Sequence, residues 1–276
     1  MNILDWPRKL VGEFNVSKRT INGTVVRIPY VGNHGRKNTK EHEDFLDRFL
    51  ESSLDNISGA FIDVGANIGQ ILIKVKTHSP TVQYIGFEPS AFCASYAERV
   101  IDINGFTKAQ IFPFALSDKF QFLTFFHSDG ADEQATTVPD FWTERNARSK
   151  VKKVACLRGD DVISRLDVGK IGILKIDVEG GELEVLKGFE QTIVRDKPLI
   201  LVEILPHLKI ETVVSVADRQ IMSKRRERIE QTLKFIKSIG YQCYLINPDG
   251  KLSSGDRFEV NTYNANLSNY ALKPSL

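Results

Sequence analysis

Cysteine is scarce in this chain of 276 residues. The three cysteines, Cys93, Cys156 and Cys243, lie far apart, and none belongs to a C-x-x-C pair or to a zinc-binding spacing. An odd number of cysteines also argues against a complete set of disulfides. The pattern therefore excludes a disulfide scaffold and favours a reducing compartment.

Long apolar runs are absent as well. The apolar stretch "LILVEIL" is interrupted by Glu203, and it is far shorter than the roughly 20 residues that a transmembrane helix needs. The start of the chain, "MNILDWPRKLVGEF", has no long apolar core and predicts no signal peptide. A strong charge excess is missing too, because the net charge is +2. We predict a cytoplasmic protein with no transmembrane segment and no nucleic-acid partner.

Short apolar segments alternate with segments of helical periodicity from residue 60 onward. The predicted strands are 60–65, 83–89, 109–116, 120–128, 150–158, 171–178, 198–205, 241–252 and 257–272. The predicted helices are 69–77, 90–105, 180–194 and 225–240. This alternation predicts an α/β fold with a doubly wound, mainly parallel sheet. Such sheets bind their ligands at the carboxyl ends of the strands.

The division of the chain is predicted as an extension over residues 1–57 and one α/β domain over residues 58–276. The extension contains a strand-like stretch and a helix over 41–55, whose apolar residues are Phe45, Leu46, Phe49 and Leu50. We expect this helix to pack on the α/β domain.

Two polar segments allow more than one interpretation. Residues 129–150 carry Trp142, and they form either a substrate loop, with the aromatic ring against a sugar, or a solvated surface loop. A basic run covers residues 224–228. Since no aromatic residues are interleaved with it, we interpret this run as a solvated helix face rather than a nucleic-acid or lipid contact.

The stretch "FIDVGANIG" places Gly65 and Gly69 at a predicted strand-to-helix turn. Gly65 permits a tight turn, and Gly69 lets the helix begin close to a ligand. Glu88 follows Gly69 by 19 residues, the spacing typical of a carboxylate that binds a ribose diol. The alternative is an ordinary turn without a ligand. On the first interpretation, Gly65→Val abolishes binding and leaves the sheet formed.

Asp63 stands immediately before this turn. A carboxylate there would repel the pyrophosphate of a dinucleotide, which needs the same helix N-terminus. The third glycine of the dinucleotide fingerprint is also missing. S-adenosylmethionine carries an ammonium and a sulfonium instead of a pyrophosphate. The acid therefore favours S-adenosylmethionine as the cofactor, contacted directly or through water.

The segments "FIDVGANIG", "GFEP", "FALSD" and "LKIDVEGGELEVLKG" resemble, in order and spacing, the FkbM family of S-adenosylmethionine-dependent methyltransferases. The resemblance covers roughly residues 40–205. It implies a class I methyltransferase fold, with seven strands of which the last is antiparallel, and O-methylation of sugars or secondary metabolites. It also implies cofactor contacts at Asp63, Gly65, Ala66, Asn67 and Gly69, at Glu88 for the ribose, and at Ala115 and Leu116 for the adenine edge.

Carboxylates gather after the strand "GILKIDV". Asp177 and Glu179 are two residues apart and face the same side of an extended chain. We predict that one of them is the general base that removes the proton of an attacking hydroxyl. Capping of the next helix is the alternative role, and we prefer it for Glu182 and Glu184. Glu203 is expected to form a structural ion pair, with Lys175 or Arg27.

The predicted function is S-adenosylmethionine-dependent O-methylation of a small-molecule or glycan acceptor. The alternatives are a nicotinamide-dependent oxidoreductase and a non-catalytic binding module. His127, at the end of a predicted strand, is a further candidate base. The acids form no clear metal-binding pattern, so we predict no metal. The acceptor and the oligomeric state stay open.

Overall fold

The computed structural model describes most of the chain. The described residues are 16–30, 35, 38, 44–127, 135–138, 150–204, 215–254 and 268–275. Most of the predicted substrate loop 129–150, and most of the predicted strand 257–272, therefore lie outside the described residues. No helix in the described part of the chain is long and apolar enough to cross a membrane.

Strands and helices alternate along the described chain. The strands are β1 Val16–Ile21, β2 Thr24–Pro29, β3 Ala60–Val64, β4 Tyr84–Phe87, β5 Ala109–Phe112, β6 Ala115–Ser117, β7 Gln121–His127, β8 Lys150–Arg158, β9 Ile171–Ile176, β10 Leu199–Glu203, β11 Tyr241–Ile246, β12 Leu252–Ser254 and β13 Asn269–Pro274. The helices are α1 Asp44–Leu54, α2 Gln70–His78, α3 Ala91–Asn104, α4 Gly159–Ile163, α5 Glu182–Gly188, α6 Glu190–Asp196 and α7 Val216–Ser238.

The central sheet has eight strands in the order β12-β11-β13-β10-β9-β3-β4-β5. Strands β10, β9, β3, β4 and β5 run parallel to one another. The last strand, β13, is antiparallel to both β10 and β11. This order is the class I methyltransferase arrangement, so the prediction of a mainly parallel sheet with an antiparallel last strand is confirmed. The short β12 adds an eighth strand at the edge.

Helices cover both faces of the sheet. On one face, Leu50, Leu72 and Ala97 from α1, α2 and α3 belong to a single apolar cluster. On the other face, Leu186 and Ile236 from α5 and α7 belong to a second cluster. Strands β3 and β4 are buried throughout, as expected for a sheet covered on both sides. The doubly wound arrangement is therefore confirmed.

Two predicted elements are divided in the structure. The predicted strand 109–116 ends at Pro113, which has no backbone N–H to donate to a ladder. After it β6 leaves the central sheet and pairs with β8, in a small sheet of order β6-β8-β7. The predicted helix 180–194 is divided at Phe189, which is fully buried. There Gly188 passes so close to the backbone of Ser117 that a Cβ would lie 2.0 Å from its carbonyl oxygen.

The sequence "PDG", residues 248–250, forms a turn within the predicted strand 241–252. It joins β11 to the short β12, with Gly250 donating to the carbonyl of Asn247 over 2.8 Å. Strand β13 pairs with β11 on its other side. The predicted strand 241–252 is therefore divided, because the turn lies between β11 and β12.

The N-terminal hairpin β1–β2 packs against α3. The backbone N–H of Arg27 donates to Asn104 Oδ1 over 2.6 Å, and Asn104 Nδ2 donates back to the Arg27 carbonyl over 2.8 Å. Val26 and Ile28 are fully buried in the same cluster as α1 and α2. The described residues of the predicted extension therefore contribute to the core, while a domain division at residue 57 stays a prediction.

Candidate active site

The glycine turn joins β3 to α2 at the carboxyl edge of the sheet. Gly65 has φ +89°, and a Cβ on it would lie 1.8 Å from the carbonyl oxygen of Asp177. Asn67 and Gly69 are also left-handed, with φ +46° and +82°. Ala66 is buried, and its N–H donates to the carbonyl of Phe87 over 3.1 Å. Gly65 is thus required by the close approach of β3 and β9, whether or not a ligand is bound.

Glu88 follows β4 and ties this turn to the start of α3. Its Oε2 accepts from the backbone N–H of Asn67 over 2.9 Å, and its Oε1 accepts from that of Ser90 over 2.7 Å. Burial raises the pKa of Glu88 to about 7, although the two backbone donors act in the opposite direction. Because each carboxylate oxygen has two lone pairs, each retains acceptor capacity for a further hydroxyl.

Asp63 is directed into the protein. Its side chain is 0% exposed, and its Oδ2 accepts from the hydroxyl of Tyr84 over 2.5 Å. Burial raises the pKa of Asp63, although the ammonium of Lys175, 3.8 Å from Oδ1, opposes that shift. The carboxylate presents no surface to a ligand in this arrangement. Its predicted role at the cationic end of the cofactor stays a prediction, and it would act through the electrostatic field.

Lys175 joins Asp63 to Asp177. It is buried on β9 directly opposite Asp63 in the strand register. Its ammonium lies 3.0 Å from Oδ2 of Asp177, a charge-assisted hydrogen bond. The Asp177 side chain retains 32% exposure. The two predicted ends of the site, the cofactor turn and the candidate base, are therefore connected by one cation.

Glu179 lies in a strongly acidic environment. Its Oε2 is buried and has no hydrogen-bond partner among the described residues. Burial raises the pKa of Glu179 well above its usual value, and the carboxylates of Asp177, Glu203 and Glu182 raise it further. Arg225 is the neighbour that opposes this shift. A raised pKa favours the protonated form of Glu179, and a protonated carboxyl group can donate a hydrogen bond.

The other predicted adenine and acid positions are distributed around this edge. Ala115 and Leu116 are buried on β6, in register with Cys156 and Leu157 of β8. Glu203, at the end of β10, accepts a hydrogen bond from the hydroxyl of Ser268 over 2.9 Å. Their predicted contacts with a cofactor or with a structural cation stay predictions.

A family model described as "Methyltransferase FkbM domain" matches residues 63–243. The chain belongs to the FkbM methyltransferase family. It is 28% identical over 155 residues to "Methyltransferase sdnD" of Sordaria araneosa, which covers 47% of this chain and 60% of that relative. The chain thus spans less than two thirds of the relative's length.

Solved structures of methyltransferases also resemble this FkbM methyltransferase. An FkbM methyltransferase from Methylobacillus flagellatus is 15% identical, with a TM-score of 0.45, over 78% of this chain and 43% of that one. The plantazolicin methyltransferase BpumL, solved with a desmethyl substrate analogue and SAH, is 13% identical, with a TM-score of 0.42, over 88% and 91%.

In the basic run of this FkbM methyltransferase, Lys224 and Arg226 are exposed, but Arg225 and Arg228 are not part of a solvated face, which corrects our interpretation for these two. Arg225 is only 7% exposed. Arg228 donates two hydrogen bonds to the carbonyl of Gly180 and forms an ion pair with Glu184. Helical spacing contains the missed signal, because residues 221, 225, 228, 232 and 236 recur at intervals of three or four, starting from the buried Ile221. The interpretation as a solvated face considered the charge of the residues and not this helical spacing.

Glu182 and Glu184, in the first turn of α5, have different partners. The Oε1 of Glu182 accepts from the backbone N–H of Gly180 over 2.8 Å. This residue precedes the N-cap Gly181, and α5 has no side-chain cap hydrogen bond, so Glu182 matches the prediction only by its place in the first turn, where an acid complements the helix dipole. Burial raises the pKa of Glu182 to about 7, against the effect of that backbone donor. Glu184 is the ion-pair partner of Arg228.

The remaining predictions for the site concern histidines and metal binding. His127 ends β7, opposite Lys150 in the register, and its ring stacks on Phe125 at 5.8 Å between centroids. Three other histidines of the sequence, His34, His42 and His207, lie outside the described residues. Among the side chains that the structure describes, no group of three or more His, Cys, Asp or Glu is arranged to hold a metal ion.

Proposed function

We propose that this methyltransferase transfers a methyl group from S-adenosylmethionine to a hydroxyl of a small-molecule or glycan acceptor. The observation that carries the proposal is the Lys175 bridge, which joins Asp63, just before the cofactor turn, to the partly exposed carboxylate of Asp177. Family membership supports methyl transfer and argues against the oxidoreductase alternative. The non-catalytic binding module remains as the outcome that the experiment below distinguishes.

The residues of the glycine turn fit this cofactor. Glu88 is a buried carboxylate whose oxygens keep acceptor capacity beyond the N–H groups of Asn67 and Ser90, so it can accept from both ribose hydroxyls. Gly65 and Gly69 adopt left-handed conformations that allow the tight turn from β3 to α2. When bound, S-adenosylmethionine supplies a methyl group already activated by the sulfonium.

The two acids at the reaction edge take different roles because their environments differ. Asp177 is partly exposed and its carboxylate is stabilised by the ammonium of Lys175, so it accepts the proton of the acceptor hydroxyl. Glu179, whose pKa is raised by burial and by the neighbouring carboxylates, donates a hydrogen bond to the acceptor in its protonated form. As the hydroxyl oxygen forms its bond to the methyl carbon, the carbon–sulfur bond breaks and its electron pair stays on sulfur.

The test uses S-adenosylmethionine with a 13C-labelled methyl group and a fractionated cell extract as the source of acceptors. The proposal expects labelled product together with S-adenosylhomocysteine, and a 13C methyl shift in the O-methyl range. A labelled N-methyl or C-methyl product would overturn the O-methyl assignment. Tight S-adenosylmethionine binding in calorimetry with no product from any fraction would favour the binding module.

A further inference from the structure

The loop between β9 and α5 has an unfavourable backbone conformation. Glu179 has φ +53° and Gly180 has φ +103°, so two consecutive residues are left-handed. A side chain at a left-handed position is disfavoured, and such a conformation persists only where surrounding contacts determine it. Asp177 and Glu179, the two acids of the proposed reaction, lie in or beside this strained segment. Whatever determines its conformation also determines where these carboxylates point.

Two side chains from other parts of the chain hold the carbonyl groups of this loop. Arg228 of α7 donates from Nε and Nη2 to the carbonyl oxygen of Gly180, over 3.1 and 2.7 Å. Thr136 donates from its hydroxyl to the carbonyl of Glu179 over 2.6 Å. The carbonyls of the two left-handed residues are therefore each bound by a side chain from a distant segment.

Arg228 is itself held in place. Its guanidinium forms an ion pair with Glu184 in the first turn of α5, so one planar group binds both the loop and the helix that follows it. Arg225 lies one turn earlier on α7 and is buried. Burial lowers the pKa of Arg225 to about 10, so it remains charged at neutral pH beside Glu179 and Glu182.

We propose that Arg228 is a positioning residue for methyl transfer, which holds the Glu179–Gly180 loop so that Asp177 and Glu179 face the acceptor. The inference rests on the proposed function for the role of these acids, while the loop contact itself is independent of it. Arg228 acts through Gly180 and touches neither cofactor nor acceptor. A purely structural role for α7 would make the same contact but would affect stability rather than turnover.

The first experiment needs no acceptor. Hydrogen exchange is followed by mass spectrometry in Arg228→Met and Arg228→Lys, with Arg226→Met as the matched control because Arg226 is exposed on the same helix. We expect exchange over residues 178–182 to be at least tenfold faster in Arg228→Met, intermediate in Arg228→Lys, and unchanged in the control. Unchanged exchange in a folded Arg228→Met would overturn the proposal.

The second experiment separates positioning from stability with the acceptor identified above. Arg228→Met is expected to lose at least tenfold in kcat, with the dissociation constant of S-adenosylhomocysteine within about twofold, and Arg228→Lys to recover part of the loss. A kcat equal to that of the unaltered enzyme despite faster loop exchange would overturn the positioning role. If no acceptor is found, the proposed function fails on its own experiment, and the exchange result still decides whether Arg228 holds the loop.

Discussion

The ammonium of Lys175 lies 3.0 Å from the carboxylate of Asp177, on the strand directly beside the one that carries Asp63. One buried cation therefore faces two acids that belong to different strands. Asp63 is completely buried, and a buried carboxylate depends strongly on such a partner. Lys175 therefore links the buried acid of the sheet, Asp63, to the candidate base, Asp177.

Replacement of Lys175 should destabilise the protein. In Lys175→Met the Asp63 carboxylate loses its nearest cation, and removal of one partner from a buried pair typically costs about 3 kcal/mol. Urea unfolding should show this decrease, whereas Lys170→Met, at an exposed lysine just before β9, should change the free energy of unfolding by less than about 0.5 kcal/mol. Adding Asp63→Asn should recover part of the loss. Equal stability of the two lysine variants would contradict the bridge.

Gly65→Ala should prevent correct folding rather than only cofactor binding. The added Cβ would lie 1.8 Å from the carbonyl oxygen of Asp177, so β3 and β9 would have to separate. We expect a loss of about 4 kcal/mol or more. Gly105→Ala is the control, since Gly105 is also left-handed but has nothing within 4 Å of an added Cβ, and it should cost about 1–2 kcal/mol. Thermal unfolding compares them, and similar melting temperatures would refute the assigned contact.

This contact also revises the expectation for Gly65→Val. That variant was predicted to fold and to lose binding, but the atom that a side chain meets at position 65 belongs to the backbone of the next strand in the sheet. The effect on binding and the effect on folding are therefore inseparable at this position. Glu88 is the better position for testing the cofactor turn.

The affinity for S-adenosylhomocysteine should fall as the pH decreases below about 7. The pKa of Glu88 is about 7 in the folded protein, and only the ionised carboxylate accepts from the ribose hydroxyls with both oxygens. Calorimetry between pH 6 and 8 should show the change in the unaltered enzyme. Glu88→Gln should bind about 1.5–3 kcal/mol more weakly at pH 8, with a flatter pH dependence. Parallel curves for the two proteins would exclude Glu88 as the titrating ligand.

The same group should affect the stability of the cofactor-free protein in the opposite direction. The folded pKa of about 7 exceeds the ordinary value of 4.5, so between these values the folded state holds a proton that the unfolded state has lost. Stability due to Glu88 therefore decreases as the pH rises from about 4.5 to about 7. The melting temperature of the unaltered protein should fall over this interval more steeply than that of Glu88→Gln. An identical slope would show that the buried carboxyl is not protonated.

Asp177→Asn tests the general base directly. The amide keeps the size of the side chain and removes its charge and basicity, so turnover should fall by about 100-fold or more. The affinity for S-adenosylhomocysteine should stay within about twofold, and Asp167→Asn, at an exposed acid, should retain full activity. A well-folded Asp177→Asn enzyme with normal turnover would exclude the base role and direct attention to Glu179 and His127.

Local sequence determined most of the elements and the doubly wound, mainly parallel class of the sheet. The apolar runs at β3, β4, β9 and β10 are long enough and continuous enough to identify buried strands, because a parallel sheet covered on both faces needs no alternation. The glycine turn and Glu88 were also identifiable, since their spacing reflects one strand, one helix and the next strand. These features depend on residues close together in the chain, so the pattern alone contains them.

Contacts between distant segments decided the rest, and a pattern read along the chain cannot contain them. Asp63 faces inward only because Tyr84 and Lys175 flank it from the neighbouring strands. The charge of Arg225 and Arg228 predicts solvated side chains, but both point toward the loop between β9 and α5. The carbonyl group of Gly180 and the carboxylate of Glu179 in this loop need a hydrogen-bond donor and positive charge. The electrostatic state of each acid depends on such neighbours, and only the tertiary structure specifies them.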